Sequence, residues 1–268
     1  MEKISKAQVK LVRSLQQKKF RDELGLFVAE GDKCVEELRK GFELVQLIIN
    51  NEQLTSRDAD VRTVLATPTE IEQMSGLRTP QGVIGVFKKG QRDEGQRTMD
   101  DLVLALDGIQ DPGNLGTIIR TCDWFGVHDI YCSLDTADCY NPKVVQATMG
   151  ALARVRLHYV DLPAFIATYK GPVYGTLLDG ENMYEVLERE KTSSLKDKRP
   201  LCSKTGVIVM GNEGNGISEE VRKLVTHPIR IPSYPNKEAS DVVESLNVSI
   251  ATAIVLAEFR RSSGSTPA

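Results

Sequence analysis

Two short runs, Leu102-Val103-Leu104-Ala105-Leu106 and Val207-Ile208-Val209-Met210, are apolar at every position. A strand of that kind has no face to offer water, so it must lie in a sheet covered on both sides, as in parallel α/β folds. The surrounding sequence agrees. Further short strands are expected at residues 127–132, 155–160, 173–178 and 229–232. Helical periodicity is expected over 115–125, 142–153, 162–169 and 218–225, and over a longer final stretch, 247–261. Strands and helices alternating at this spacing imply a parallel sheet wound by helices. The stretch "EREKTSSLKDKRPLCSKT", 188–205, reads as an exposed connection.

A boundary precedes this region. "KKGQRDEGQRTMD" is polar, holds two glycines and has no apolar period, so residues 91–99 are read as an interdomain linker. Residues 1–90 then form a smaller α/β unit, and residues 100–268 the larger one. The smaller unit should open with a basic helix over 5–19, followed by the strand "LFVAEG". A helix over 32–40 should close at Gly41 in the C-cap position. The strands "LVQLIIN" and "VRTVLA" follow, then a short helix after Pro68 with Thr69 and Glu72 at capping-box spacing, then the strand "GVIGVF".

Charge and cysteine content narrow the function classes. The net charge of −3 argues against coating nucleic acid by bulk positive charge. It is unevenly distributed, however: Lys3, Lys6, Lys10, Arg13, Lys18, Lys19 and Arg21 face a single acid, Glu2, at the start of the chain. Such a cluster is either a solvated helix face or a local phosphate-binding surface. The five cysteines (Cys34, Cys122, Cys132, Cys139, Cys202) form no C-x-x-C pair, so free buried thiols are expected rather than a disulfide frame or a metal site. His128, His158 and His227 are isolated and read as structural. No run approaches the roughly 18 apolar residues of a membrane span, and no apolar signal core follows the first lysines, so a cytoplasmic location is expected.

Three loops at strand ends have unusual composition, and ligands of parallel α/β sheets bind at such ends. In the first, "DPGN" at 111–114 joins the strand at 102–107 to a helix whose Leu115, Ile118, Ile119, Cys122 and Phe125 share a stripe. Arg120 lies off that stripe and tilts back toward the turn, so a guanidinium and the Asn114 amide can converge on an anion. A surface arginine beside an ordinary turn is the plainer reading. The second loop, "GNEGNGIS" at 211–218, carries three glycines and Glu213. It matches neither G-x-G-x-x-G nor a nucleotide-triphosphate loop, which argues against a dinucleotide-dependent enzyme. The third, running from Ile231 to the final helix, holds "SLN" at 245–247, where Ser245 or Asn247 can cap that helix. The helix is apolar on two faces: Val248, Ala251, Val255 and Phe259 mark one, and Ile250, Ile254 and Ala257 the other. It should be buried on two sides, one of which can meet a second subunit.

In order and spacing, "LDGIQDPGNLGTIIRTCDWFG", "VIVMGNEGNGIS" and "IRIPS…ESLNVSIATAIVLAEFRR" resemble the three motifs of the SpoU/TrmH family of RNA ribose 2′-O-methyltransferases, in the SPOUT superfamily. The resemblance covers about residues 100–262, and residues 6–31 are similar to the family's substrate-binding domain, which is related to ribosomal RNA-binding proteins. It implies a parallel sheet whose C-terminal segment is threaded into a deep trefoil knot. That knot binds S-adenosylmethionine in a homodimer, with no metal. By position, Asn114 and Arg120 match the motif-one asparagine and catalytic arginine, Glu213 the motif-two glutamate, and Ser245 and Asn247 the motif-three pair. Gly211, Asn212, Gly216, Ile231, Leu246 and Asn247 fall where the family holds the cofactor. Lys10, Arg13, Lys18, Lys19, Arg21 and Arg120 become candidate RNA contacts, with ribosomal RNA favoured over tRNA. One departure is visible: Ser233 follows Pro232 and "SYPNKEASDVVE" lengthens the link to Ser245. The alternative from another class is a catalytically silent RNA-binding module on the same scaffold.

Overall fold

The structure, a computed structural model, describes residues 2–51, 61–90, 102–197, 205–234 and 245–262. The expected linker, 91–99, lies outside these. In chain order the first elements are β1 (Glu2–Lys3), α1 (Lys6–Ser14), α2 (Lys18–Leu24), β2 (Leu26–Glu30), α3 (Asp32–Leu38), β3 (Leu44–Ile49), β4 (Arg62–Leu65), α4 (Pro68–Met74) and β5 (Val83–Lys88). There follow β6 (Leu102–Asp107), α5 (Pro112–Trp124), β7 (Asp129–Cys132), α6 (Pro142–Thr148), β8 (Arg156–Tyr159), α7 (Leu162–Thr168) and β9 (Val173–Asn182). The last are α8 (Met183–Asp197), β10 (Gly206–Gly211), α9 (Glu219–Arg222), β11 (His227–Arg230) and α10 (Val248–Ser262). The chain packs as two units. One joins Met1–Gly95 with Leu115–Arg120 and Asp138–Arg156; the other joins Gln96–Asn114, Thr121–Ala137 and Leu157–Ala268.

The first unit is built on a mixed sheet in the order β1-β4-β3-β5-β2, with β5 antiparallel to both of its neighbours. Val12 and Leu15 of the N-terminal helices pack into one core with Ile48, Val64, Ile71, Met74 and Ile84. Two helices stand where one basic helix was expected. Ser5 and Gln8 close α1 with a capping box, and at Gln17 the backbone turns extended (φ −101, ψ 133) before α2 begins. The same break decides the fate of Arg21. Its side chain is 2% exposed, not on the basic face where the sequence reading placed it. Its guanidinium donates to Leu15 O (2.9 Å), Gln16 O (3.0 Å) and Asp138 Oδ2 (2.7 Å), so it serves the interior rather than an exposed surface. Lys10, Arg13, Lys18 and Lys19 remain exposed.

Other local expectations shift for physical reasons. The capping box of α4 uses Thr67 and Glu70 with Pro68 at the first helical position, not Thr69 and Glu72. Helix α3 ends on Arg39, and Gly41 is not its αL cap; a Cβ there would collide with Ala153 O, so close backbone approach is what requires glycine. Helix α6 stops at Thr148 because Met149 (φ 51) and Gly150 (φ 90) turn left-handed, and a 3-10 turn at Ala151–Ala153 follows. In this unit Phe27 packs on Phe42, Phe87 and Tyr140, with ring centroids 5.1, 5.4 and 4.8 Å apart. Burial pushes the Tyr140 phenol up to about 12.

The second unit carries a six-stranded sheet in the order β11-β9-β10-β6-β7-β8. The pairings of β6 with β7 and β10, and of β9 with β10 and β11, are all parallel. Ala105, Val207 and Val209 are completely buried and share a core with Leu162, Ile166, Val173 and Val221. The doubly apolar strands therefore sit at the centre of a covered sheet. Much of the stretch read as an exposed connection is helix: α8 runs to Asp197. Its inner residues Met183, Val186 and Leu187 are buried, an apolar edge that the polar run after them hides from inspection. Among the described residues no helix is long and apolar enough to cross a membrane. Cys34, Cys122, Cys132 and Cys139 are buried free thiols, and burial pushes Cys34 up to about 11.

Candidate active site

Strands β6 and β10 run side by side, in register from Leu102 opposite Gly206 to Asp107 opposite Gly211. From β6 the chain moves outward to β7 and β8, then returns to build β9 and β10 on the other side. Strand order therefore reverses between β6 and β10, and a reversal opens a crevice at the carboxyl ends of the strands. Two loops meet there.

The loop after β10 is a preformed, closed turn. Asn212 exchanges two backbone bonds with Gly216, both 2.9 Å. Its side-chain Oδ1 accepts from Gly214 N (2.8 Å) and Asn215 N (3.1 Å), while Nδ2 donates to Gly108 O (2.7 Å) across the sheet. Asp107, 9% exposed, accepts from Ser218 N at 2.7 Å and stitches the loop's other end to β6. On sequence grounds Gly211 is a point of ligand approach. Its hard requirement is different: a Cβ would collide with Gly216 C, so the loop folds back over its own strand only with glycine there. Gly216, at φ 70, has nothing within 4 Å of its added Cβ and is the open position of the loop.

The turn "DPGN" is the first turn of α5 itself, three residues earlier than the expected start. Asp111 is the N-cap, accepting from Asn114 N at 2.8 Å, and Pro112 takes the first helical position. This fixes Asn114 in the first turn of α5, just beyond the loop that follows β6. Asn114 Nδ2 donates to Glu213 Oε1 at 2.5 Å, and Asn247 Nδ2 donates to Asn114 Oδ1 at 2.9 Å. Asn247 is the N-cap of α10, its Oδ1 accepting from Ser249 N at 3.0 Å and Ser249 Oγ at 2.6 Å. The polarity of this chain is fixed at both ends. Ser249 N is only a donor and the Glu213 carboxylate only an acceptor, so both amides can face one way alone.

Three of the expected site residues, Asn114, Glu213 and Asn247, are thus brought into one hydrogen-bonded line. Ser245 and Leu246 lie on the exposed chain leading into it, and Leu246 is 49% exposed. Ile231, the first residue after β11, is half-buried. Arg120 is exposed on α5 six residues beyond Asn114, about 9 Å along the axis by the helical rise. The stripe Leu115, Ile118, Ile119 and Cys122 beneath it is fully buried. Helix α10 is tied to α5 a second time, where Arg260 donates to Phe125 O (2.6 Å) and Gly126 O (2.9 Å). Sequence reading missed Asp107, and also Ser133, which accepts from Gly108 N at 2.8 Å and donates to Asp135 Oδ1 at 2.6 Å. A carboxylate ending an otherwise apolar strand was the available signal for Asp107. Residues 235–244 of the long third-loop link lie outside the described residues. Among the described residues no group of His, Cys, Asp and Glu is arranged to hold a metal.

Fold and site together define an α/β protein whose strand order reverses between β6 and β10, with a hydrogen-bonded Asn–Asn–Glu line drawn from the starts of α5 and α10 and the loop after β10. The family model for the SpoU rRNA Methylase family matches residues 101–257, and that for the MRM3-like substrate binding domain matches residues 6–85. The chain belongs to the SpoU rRNA methylase family. The 23S rRNA (guanosine(2553)-2'-O)-methyltransferase RlmP of Bacillus subtilis is 26% identical, over 97% of this chain and 98% of its own. Among solved structures, a TrmH-family protein from Porphyromonas gingivalis is 37% identical with a TM-score of 0.79, covering 96% of this chain and 98% of that one. An AdoMet-bound rRNA methyltransferase from Sinorhizobium meliloti is 30% identical with a TM-score of 0.78, covering 97% of each chain.

Proposed function

We propose that this protein transfers a methyl group from S-adenosylmethionine to a ribose 2′-hydroxyl of ribosomal RNA at the crevice between β6 and β10. The observation that carries the reading is the line Asn247–Asn114–Glu213, because it joins three loops far apart in sequence around one polar spot. The residues present fit the cofactor. The exposed loop 213–216 offers backbone with open space at Gly216, Ile231 and Leu246 offer partly exposed apolar surface for a base, and Glu213 offers negative charge for a cationic sulfur. Gly211, Asn212, Gly216, Ile231, Leu246 and Asn247 are the proposed cofactor contacts. Bound S-adenosylmethionine supplies a methyl group on a positively charged sulfur.

The protein's own part is positioning and charge. The ribose oxygen must lose a proton as it gains the methyl. A guanidinium is a donor-only cation with no lone pair free to take a proton, so Arg120 serves as a clamp on the adjacent phosphate and on the developing alkoxide. A phosphate oxygen of the RNA takes the proton. Asn114 and Glu213 orient the hydroxyl, and Ser245 and Asn247 complete the pocket. Residues 1–90 form the RNA substrate-binding domain, 91–99 the linker and 100–268 the methyltransferase domain. Lys10, Arg13, Lys18 and Lys19 contact RNA, the C-terminal domain carries a deep trefoil knot, and the active form is a homodimer.

The test is transfer of labelled methyl to deproteinised RNA separated into ribosomal and transfer fractions. Label in the ribosomal fraction, lost by about 10²–10³-fold in Arg120→Ala, is the expected result. Arg120→Lys keeps the charge but not the fork; near-normal turnover in that variant would remove the guanidinium from its role. Absence of both label and cofactor binding would favour the silent RNA-binding module.

A further inference from the structure

We infer that Arg21 and Asp138 are positioning residues for RNA: they lock the corner between α1 and α2, and so hold the basic side chains of both helices as one surface. The inference rests on the reading of Lys10, Arg13, Lys18 and Lys19 as RNA contacts. Lys10 and Arg13 stand on α1, Lys18 and Lys19 on α2, and the extended residue Gln17 separates the pairs. Two short helices joined by such a break have no fixed angle of their own. Isolated helices this short are unstable in water, and tertiary contacts must set their geometry.

Arg21 supplies several of those contacts, beside the buried Leu15 side chain and the bond from Gln16 Nε2 to Met74 O. Its Nη1 donates to Leu15 O and Gln16 O, the carbonyls at the end of α1, although Arg21 itself belongs to α2. Nε and Nη2 both donate to Asp138 Oδ2, at 3.2 and 2.7 Å. The pair is nearly dry, with side-chain exposures of 2% and 13%. Asp138 is fixed in turn, since Oδ1 accepts from Tyr140 N at 3.0 Å. One planar fork therefore spans the end of α1, the body of α2 and the residues ahead of α6. Its four bonds cannot be reproduced by a single ammonium. An arginine so placed touches no phosphate, yet it sets where four others stand.

The experiment is equilibrium binding of deproteinised ribosomal RNA to the full chain. The variants are Arg21→Met, Asp138→Asn, the double variant, and a quadruple Lys10, Arg13, Lys18, Lys19→Ala variant, each checked for folded structure by circular dichroism. The sign of the Asp138→Asn effect decides. That change makes the protein less negative, so if Arg21 contacted RNA directly, binding would tighten. The lock instead requires weakening of about tenfold in either single variant, with the double variant no worse than the singles because one interaction is removed once. S-adenosylmethionine affinity without RNA should stay at the wild-type value in all of them. Arg21→Met is the variant at risk of unfolding, and the near-isosteric Asp138→Asn then carries the test. If folded Asp138→Asn binds RNA as well as wild type or better, the positioning role is wrong. If the quadruple variant also binds normally, it is the RNA-surface reading beneath it that fails.

Discussion

At the scale of single residues, Asn247 does two separable things. Its Oδ1 caps α10 through Ser249 N, and its Nδ2 holds Asn114. Asn247→Ala loses both, and the lost cap should cost about 1 kcal/mol, or roughly 2–4 °C in melting temperature for a chain of this size. Asn247→Asp keeps an acceptor for Ser249 N but places no donor against Asn114 Oδ1. Calorimetry should therefore find Asn247→Asp near wild type, while methyl transfer falls in both variants by about 10²-fold. Equal activity in Asn247→Asp and wild type would separate the hydrogen-bonded line from catalysis. What the sequence offered here was uneven, for a physical reason. Asn114, Glu213 and Asn247 stood out as polar residues at strand or helix ends, but it was the resemblance of the three loops to the family's motifs that grouped them. The burial of Arg21 was not legible, because it depends on a break at Gln17 and on a carboxylate 117 positions away, and neither leaves a local pattern.

At the scale of elements, helices are held by their ends. Helix α5 and helix α10 meet twice, through Asn114 with Asn247 and through Phe125 and Gly126 with Arg260, so two loops that form the crevice are referenced to one pair of helices. Elsewhere α4 shows what an end is worth. Glu70 Oε2 accepts from Thr67 N (2.7 Å) and Thr67 Oγ1 (2.9 Å), and the Thr67 backbone bond holds its carboxyl below the usual range. A depressed folded pKa means stability that is complete above the unfolded value of about 4.3 and is lost as pH falls through the folded value. Glu70→Gln should thus be less stable than wild type by at most about 1 kcal/mol near neutral pH, with the gap closing in acid. Melting curves that stay parallel down to about pH 2.5 would contradict this. Element order in the parallel sheet was readable from alternating apolar runs. Helix α8 was not, because its polar C-terminal turns conceal a buried start.

At the scale of the whole molecule, α10 raises a question its own chain does not answer. Val248, Val255 and Phe259 are buried beneath it, while Ile250 is 54% exposed and Ala257 is exposed on the other side. The chain's single tryptophan, Trp124 at the end of α5, is 85% exposed. Large apolar side chains left in water on helices mark surface that can meet a partner, here at Ile250 on α10 and separately at Trp124 on α5. The proposed homodimer supplies one, since a specific interface buries about 800 Å² on each side and concentrates aromatic and aliphatic anchors at its centre. Ile250→Glu places an uncompensated charge on that surface without touching the buried face of the helix. Sedimentation equilibrium should then shift from dimer to monomer, and Trp124 emission should move to longer wavelength as the residue becomes hydrated. Methyl transfer should fall with the dimer and recover at high protein concentration, where mass action restores assembly. A variant that sediments and fluoresces as the wild type does would show that this face is not where the subunits meet. The exposed side of α10 would then have to be explained by the RNA instead.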